Sequence, residues 1–166
     1  MRSIKNPFLH LDGYNCFGCA PGNTIGLAMQ FAEDGEEIVS TWEPGELYAG
    51  FKGVLHGGIQ ATLHDEIASW VVFIKLETAG YTSKLEMNYL SPVYTKNSPL
   101  TLRSKLVRTE EKKAVMSTSL FDSCGKLCSE STAEYYIVTP HIARKMFAYP
   151  GLEAFFEQDT PAKSRP

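Results

Sequence analysis

The clearest structural signal in the sequence lies in residues 53–78, GVLHGGIQATLHDEIASWVVFIKLET. Apolar side chains recur there at intervals of three and four, which is the period of one face of an α-helix. The opposite face also carries alanine and valine, so a helix from Gly57 to about Thr78 would be apolar nearly all round. Such a helix must be enclosed by other elements. We therefore predict that it is the core helix of the domain.

Segments with the two-residue period of β-strands lie on both sides of this helix. They are residues 27–31, 37–42, 84–89, 100–106, 114–121 and 127–139. Asp34-Gly35 marks a hairpin turn between the first two, and the short connections among the last four indicate antiparallel neighbours. This order predicts an α+β fold in which one antiparallel sheet is wrapped around one long central helix.

The whole chain is predicted to form one domain, because 166 residues with 43% hydrophobic side chains can bury a sizeable core. Residues 1–26 have irregular spacing and are interpreted as an N-terminal covering segment, followed by the domain proper at 27–139. Residues 140–166 are expected to add one or two short helices over 141–157 and a disordered tail from 158 onward.

Charge and cysteine content exclude several classes of partner and location. The 16 basic and 19 acidic side chains leave a net charge of -3, which gives no electrostatic reason to expect nucleic acid or an anionic membrane. The N-terminus lacks the apolar segment of a secretory signal, and the longest strongly apolar run, 70–74, is too short to span a bilayer. Four cysteines without a signal peptide fit a reducing compartment, so we predict a cytoplasmic protein.

Two glycines, Gly57 and Gly58, follow His56 at the start of the predicted helix. They place unobstructed backbone N–H groups at a helix N-terminus, where the helix dipole favours negative charge. This arrangement can stabilise the oxyanion that forms when a carbonyl group, such as that of a thioester, is attacked. The glycines could instead only allow the loop to pack closely against the sheet.

Asp65 lies two turns inside this apolar helix, where a carboxylate is costly unless it is paired or functional. It is therefore the candidate catalytic group, although it could also reach solvent at the helix edge. Glu66 points about 100° away and is predicted to be solvated. Ser69, four residues after Asp65, could orient a water or the carboxylate, or only permit close helix packing.

The spacing of Gly57 and Asp65 sets a condition on the assembly. Eight residues separate them along about 12 Å of one helix. A nucleophile or base must come within about 3–3.5 Å of the carbonyl carbon, while the oxyanion donor lies about 3 Å from the oxygen. One helix cannot meet both requirements. We therefore predict a dimer with antiparallel central helices, in which Asp65 of one copy meets Gly57 of the other.

With these residues identified, the sequence resembles the hotdog-fold acyl-CoA thioesterases, especially those of the phenylacetate-degradation and 4-hydroxybenzoyl-CoA types. The resemblance rests on CFGCAPGNTIGL at 16–27, on His56-Gly57-Gly58 with Asp65 nine positions after the histidine, and on MNYLSP at 87–92. Together these motifs cover residues 16 to about 139 in the expected order.

The resemblance implies a homodimer, or a homotetramer built as a dimer of dimers, that hydrolyses an acyl-CoA without a cofactor. It implies that the Gly57 amide polarises the thioester carbonyl and that Asp65 of the other copy is the nucleophile or general base. Ser69 is then expected to help position the water. His56 is expected to shape the start of the helix rather than to carry a proton.

Further contacts with the substrate are predicted from positions where this chain departs from the family. Gly50 stands where many relatives carry Asn or Gln, and Ser91 stands where many carry an Arg that can meet CoA phosphates. Gly58 is expected to border the thioester. Lys84, Arg103, Lys105 and Arg108 are the candidate substitute phosphate contacts, although strand charges of this kind are usually ordinary solvated ones.

The acyl group is predicted from Trp70, Val71 and Phe73, which lie beyond Asp65 on the helix and could border a pocket for a medium-chain or aromatic acyl chain. Packing in the core is the alternative role for each of them. Two other functions are left open: a non-catalytic acyl-CoA-binding protein, and a hotdog dehydratase or hydratase that acts on the acyl chain. Asp65 at its helix position favours hydrolysis.

The cysteines offer one further interpretation. Cys16 and Cys19 form a C-x-x-C pair that Cys124 and Cys128 could complete as a zinc site. The second pair has three intervening residues and straddles a predicted turn, which does not favour a shared tetrahedron. The sequence therefore predicts no metal ion.

Overall fold

The computed structural model describes residues 1–157, and the predicted tail at 158–166 lies outside this range. The strands are β1 (Arg2–Ile4), β2 (Phe31–Asp34), β3 (Glu37–Trp42), β4 (Ala49–Phe51), β5 (Val54–Leu55), β6 (Gly80–Tyr89), β7 (Leu100–Glu110), β8 (Lys113–Phe121) and β9 (Leu127–Ile137). The α-helices are α1 (Gly57–Lys75) and α2 (Pro140–Phe147). Short 3-10 helices lie at Pro7–His10, Glu46–Tyr48 and Leu152–Phe155.

One antiparallel sheet of seven strands forms the body of the domain, in the order β1-β2-β3-β7-β8-β9-β6. The strand that follows the helix, β6, crosses to the far edge and pairs with the last strand, β9. The hairpin β4-β5 stands apart from this sheet and leads into α1. The predicted α+β class and the sheet wrapped around one helix are confirmed.

Helix α1 packs against β3, β6, β7, β8 and β9. Leu63, Ile67 and Val71 are fully buried, as the apolar period of the sequence predicts. The helix ends at Lys75, three residues before the predicted end. The reason is local, because Glu77 has φ +51, in the left-handed region where a helix cannot continue.

The N-terminal segment contributes a strand as well as a cover. Ile4 of β1 pairs with Phe31 at the outer edge of the sheet. The strand predicted at 27–31 is wrong, because β2 begins only at Phe31. The Leu27 and Met29 amides instead donate to the carbonyls of Phe17 (2.7 Å) and Gly18 (2.9 Å). The alternating pattern of these residues therefore reports burial under the N-terminal loop rather than a strand.

Strand β6 forms an open edge of the sheet. It is ten residues long, it pairs with β9 on one side, and within residues 1–157 no strand pairs with its other side. Most of its residues are exposed, including Tyr81 (55%) and Tyr89 (52%). A long exposed edge strand is a template for pairing with another chain. No helix in the described part of the chain is long and apolar enough to cross a membrane.

Candidate active site

The start of α1 presents a free amide. His56 is the N-cap, and its Nδ1 accepts the Gly58 N–H at 2.9 Å. An added Cβ at Gly58 would lie 3.0 Å from that same Nδ1, a tight contact to which the imidazole would have to adjust. Among the hydrogen bonds of residues 1–157, none uses the half-buried Gly57 N–H. This amide is therefore available to a ligand, at the positive end of the helix dipole.

Two hydroxyl groups hold the Asp65 carboxylate in place. Thr82 Oγ1 donates to Asp65 Oδ1 at 2.6 Å, and Tyr135 OH donates to the same oxygen at 2.8 Å and lies 2.7 Å from the Asp65 carbonyl oxygen. Burial holds the pKa of Tyr135 well above its usual range, so the phenol keeps the proton it donates. Asp65 Oδ2 has no hydrogen-bond partner in the described range and can accept one from a water.

The sequence pattern does not identify Thr82 and Tyr135, because the signal for them lies in the pairing of two strands. They lie directly opposite each other on β6 and β9. Each strand can be recognised by its period, but the pairing of a strand with one some fifty residues later depends on the order of the sheet. Once that order is known, the register brings both hydroxyls beneath the same helical residue.

Strand β6 touches both parts of the candidate site. Near its start Thr82 binds Asp65, and at its end the Tyr89 hydroxyl donates to the Gly57 carbonyl oxygen at 2.9 Å. The ring of Tyr89 lies 3.6 Å from where a Cβ on Gly57 would be. Within one chain, Gly57 and Asp65 remain eight residues apart on one helix, about 12 Å along its axis.

The neighbours of Asp65 on α1 differ from expectation. Ser69 donates its hydroxyl to the Glu66 carbonyl oxygen at 2.7 Å rather than to Asp65. The prediction that Glu66 is solvated is wrong. Its carboxylate accepts from Trp70 Nε1 at 3.1 Å and lies 3.6 Å from Cys16 Sγ, and burial raises its pKa to about 7. The N-terminal segment covers this side of the helix, which helix periodicity alone could not show.

His64 is a buried polar residue with a structural position. It is fully buried, with Nδ1 2.8 Å from Ser131 Oγ and Nε2 3.0 Å from Ser129 Oγ. Burial lowers its pKa to about 4, so the ring is neutral at physiological pH. The side chain attaches α1 to β9.

Several predicted substrate contacts lie elsewhere. Arg103 lies on β7, three strands from β6. It forms ion pairs with Asp34 (2.5 Å) and Glu37 (2.6 Å). Trp70 is 1% exposed and stacks on Phe31 with ring centroids 4.3 Å apart, so the structure gives it the core role. The structure therefore does not bring Arg103 or Trp70 to Asp65.

Three other predicted contacts lie nearer the site. Gly50 packs on His56, since an added Cβ there would be 3.1 Å from the imidazole Cδ2. Lys84 lies on β6, exposed and paired with Glu86 at 2.9 Å. Ser91 follows β6, and its amide donates to the Cys128 carbonyl oxygen at 3.0 Å. Their contact with a substrate stays a prediction.

Comparisons with known proteins find a match to the segment that carries these residues. The family model of the thioesterase superfamily matches residues 52–129, which include His56, Gly57 and Asp65. None of the curated proteins compared with the chain matches it. The fold is that of a hotdog protein, and the segment at 52–129 is similar to the thioesterase superfamily.

Solved structures show the same fold at low identity. Protein RHA08564, a thioesterase superfamily protein, is 23% identical with a TM-score of 0.67, over 73% of this chain and 62% of that one. A hypothetical thioesterase from Streptococcus pneumoniae with coenzyme A is 22% identical with a TM-score of 0.60, over 66% and 85%. Thioesterase HI1161 from Haemophilus influenzae is 20% identical with a TM-score of 0.62, over 69% and 80%. The match thus spans less than two thirds of the first of these proteins.

Proposed function

We propose that the protein hydrolyses acyl-CoA thioesters to a free acid and CoA, in sites shared between two copies. The observation that carries the proposal is the position of the Asp65 carboxylate. It lies on the helix that begins with the free Gly57 amide, and it accepts hydrogen bonds from Thr82 and Tyr135. The match of residues 52–129 to the thioesterase superfamily supports thioester hydrolysis, and the similar S. pneumoniae structure with coenzyme A supports a CoA thioester.

In this proposal the Gly57 N–H donates to the thioester carbonyl oxygen and stabilises the negative charge that develops there. Asp65 of the other copy then acts in one of two ways. As a general base it takes a proton from a water that attacks the carbonyl carbon. As a nucleophile it attacks that carbon itself, and water hydrolyses the resulting anhydride. In both cases the C–S bond breaks and the thiol of CoA leaves, and Ser69 is proposed to help position the water.

The open edge of β6 supports the shared site. If two copies pair through β6 in antiparallel fashion about a two-fold axis, the start of one β6 lies beside the end of the other. Thr82, which binds Asp65, would then approach the Tyr89 of the second copy, which binds Gly57. This pairing brings Asp65 towards Gly57 across the interface, as the spacing along α1 requires. A dimer of two such dimers is compatible with this arrangement.

A medium-chain or aromatic acyl group remains the proposed substrate, now for a different reason. The exposed ring of Tyr89 lies beside Gly57, where it can pack against an apolar chain attached to the carbonyl. A cytoplasmic location is proposed from the four cysteines, all of which are free thiols. Fractionation of the producing cells tests the location.

The test of the function is free-thiol release from a panel of acyl-CoAs that ranges from acetyl to aromatic. We expect thiol release by the wild type, and little release by Asp65→Asn at equal protein concentration. Tight binding of acyl-CoA without thiol release would favour the non-catalytic binding protein. A change in the acyl chain with the thioester intact would favour the dehydratase or hydratase.

A further inference from the structure

A second cluster of polar side chains lies one residue beyond Asp65, on the side of α1 that the N-terminal segment covers. It consists of Cys16, Cys19 and Glu66, whose ligand atoms all lie within 4.8 Å of one another. Cys16 Sγ is 3.6 Å from both carboxylate oxygens of Glu66. The Ala20 amide donates to the Cys16 carbonyl oxygen at 3.1 Å, so the C-x-x-C segment forms one tight turn that brings the two thiols together.

The backbone of this turn is pressed onto the carboxylate. A Cβ added to Gly18 would lie 2.3 Å from the Glu66 carboxyl group. Only glycine can therefore stand between the two cysteines at this point without displacing Glu66. The glycine of the CFGC segment is thus explained by its close contact with the Glu66 carboxylate.

The distances suit a zinc ion. With Zn–S bonds of about 2.3 Å and Zn–O bonds of about 2.1 Å, a tetrahedral site separates sulfur from oxygen by about 3.6 Å and sulfur from sulfur by about 3.8 Å. The structure has 3.6 Å between Cys16 Sγ and Glu66, and the remaining separations are no greater than 4.8 Å. The separation between Cys16 and Glu66 thus already matches that of a tetrahedral zinc site.

Further side chains support the three ligands. Tyr14 OH lies 3.0 Å and Asn6 Nδ2 3.5 Å from Cys19 Sγ. Trp70 Nε1 donates to Glu66 at 3.1 Å. Partners of this kind fix the orientation of metal ligands and are a regular part of metal sites. A cavity of about 430 Å³, lined by Asn6, Cys19 and Trp70 among others, reaches the cluster and has room for a water as the fourth ligand.

We propose that Cys16, Cys19 and Glu66 bind one zinc ion, which fastens the N-terminal segment to α1 next to Asp65. Two thiolates and a carboxylate are ligands that zinc accepts, and a divalent cation compensates the cost of burying negative charge at this position. The proposal reverses the expectation of no metal ion. It also replaces the four-cysteine site, because Cys124 is exposed and Cys128 donates to the Lys126 carbonyl oxygen outside the cluster.

The test is the metal content of the protein, measured by inductively coupled plasma mass spectrometry. The protein is purified under reducing conditions without chelators. We expect about one zinc per chain in the wild type. Cys16→Ser and Glu66→Gln should each lower the zinc content at least about tenfold under dialysis against a weak chelator. Cys124→Ser and Cys128→Ser are the matched controls and should retain the zinc.

A measurement on the wild type alone covers the case in which a ligand variant fails to fold. Protein stripped of metal and loaded with Co²⁺ should show the near-ultraviolet absorption of thiolate-to-cobalt charge transfer, and zinc should slow the alkylation of Cys16. Wild-type protein without zinc that also gives no cobalt–thiolate absorption would overturn the proposal. A Cys16–Cys19 disulfide that forms in its place would assign the pair to redox chemistry. None of these readouts depends on acyl-CoA hydrolysis, so either proposal can fail alone.

Discussion

Acid should destabilise the folded protein through His64. The side chain is fully buried between Ser129 and Ser131, and burial lowers its pKa from 6.5 to about 4. The unfolded chain therefore binds a proton at this residue below about pH 6.5, whereas the folded chain does so only near pH 4. Stability rises with pH wherever the unfolded state binds more protons. The contribution of His64 is thus complete above pH 6.5 and is lost as the pH falls towards 4.

The size of this effect follows from the shift in pKa. Each pKa unit corresponds to about 1.4 kcal/mol, so the full contribution is about 3 kcal/mol, of which about 2 kcal/mol is lost between pH 7 and pH 5. The assay is urea unfolding at these two pH values and at one protein concentration, for the wild type and for His64→Gln. Other titrating groups act in both proteins and cancel in the comparison.

We expect the free energy of unfolding of the wild type to fall by about 2 kcal/mol more than that of His64→Gln between pH 7 and pH 5. Equal losses in the two proteins would refute the reasoning. An NMR titration that gave His64 an ordinary pKa in the folded protein would refute it as well.

Three further predictions concern catalysis. Asp65→Asn should lower kcat at least about a hundredfold while size-exclusion chromatography still shows a dimer, and near-normal steady-state turnover would remove Asp65 from the mechanism. Tyr135→Phe should lower kcat about ten- to a hundredfold, because it removes a hydrogen bond to a charged group, whereas the control Tyr136→Phe should keep its activity; equal kcat values for the two variants would leave Tyr135 without a role. Among acyl-CoAs, kcat/KM should be higher for medium-chain or aromatic thioesters than for acetyl-CoA, and a clear preference for acetyl-CoA would contradict the proposed role of Tyr89.

The sequence was sufficient for the parts of the fold in which hydrophobic period and burial coincide. Helix α1 has this property, and the bounds of β3 match the predicted 37–42. Leu27 and Met29 show where the inference fails, since their alternation arises from burial beneath a loop that pairs with them through main-chain hydrogen bonds. Periodicity reports which side of a segment is covered and leaves open what covers it.

The candidate site, too, could be predicted from the sequence only in part. Asp65 and Gly57 could be identified because a carboxylate in an apolar helix and a double glycine at its start are unusual within a short segment. Thr82 and Tyr135 could not be identified, because their role depends on the pairing of β6 with β9 across the sheet. The burial of Glu66 was missed for a related reason, since its contacts come from a loop fifty residues earlier in the chain.

The most direct test of the shared site is complementation between two inactive chains. Asp65→Ala removes the carboxylate, and Gly57→Pro removes the amide that the oxyanion requires. Proline is well accepted at the first position of a helix, and His56 already has the extended conformation (φ -60, ψ 135) that precedes a proline. An added Cβ at Gly57 would meet Tyr89 at 3.6 Å, an ordinary contact. Both variants are therefore expected to fold and to dimerise.

The two chains are mixed in equal amounts, subunit exchange is followed by native mass spectrometry, and thiol release from an acyl-CoA is measured. Half of the dimers should then be mixed, and each of these has one site with both groups intact, so we expect about a quarter of the wild-type activity per protein. Mixed dimers that are no more active than either parent would contradict a site built from Asp65 of one copy and Gly57 of the other.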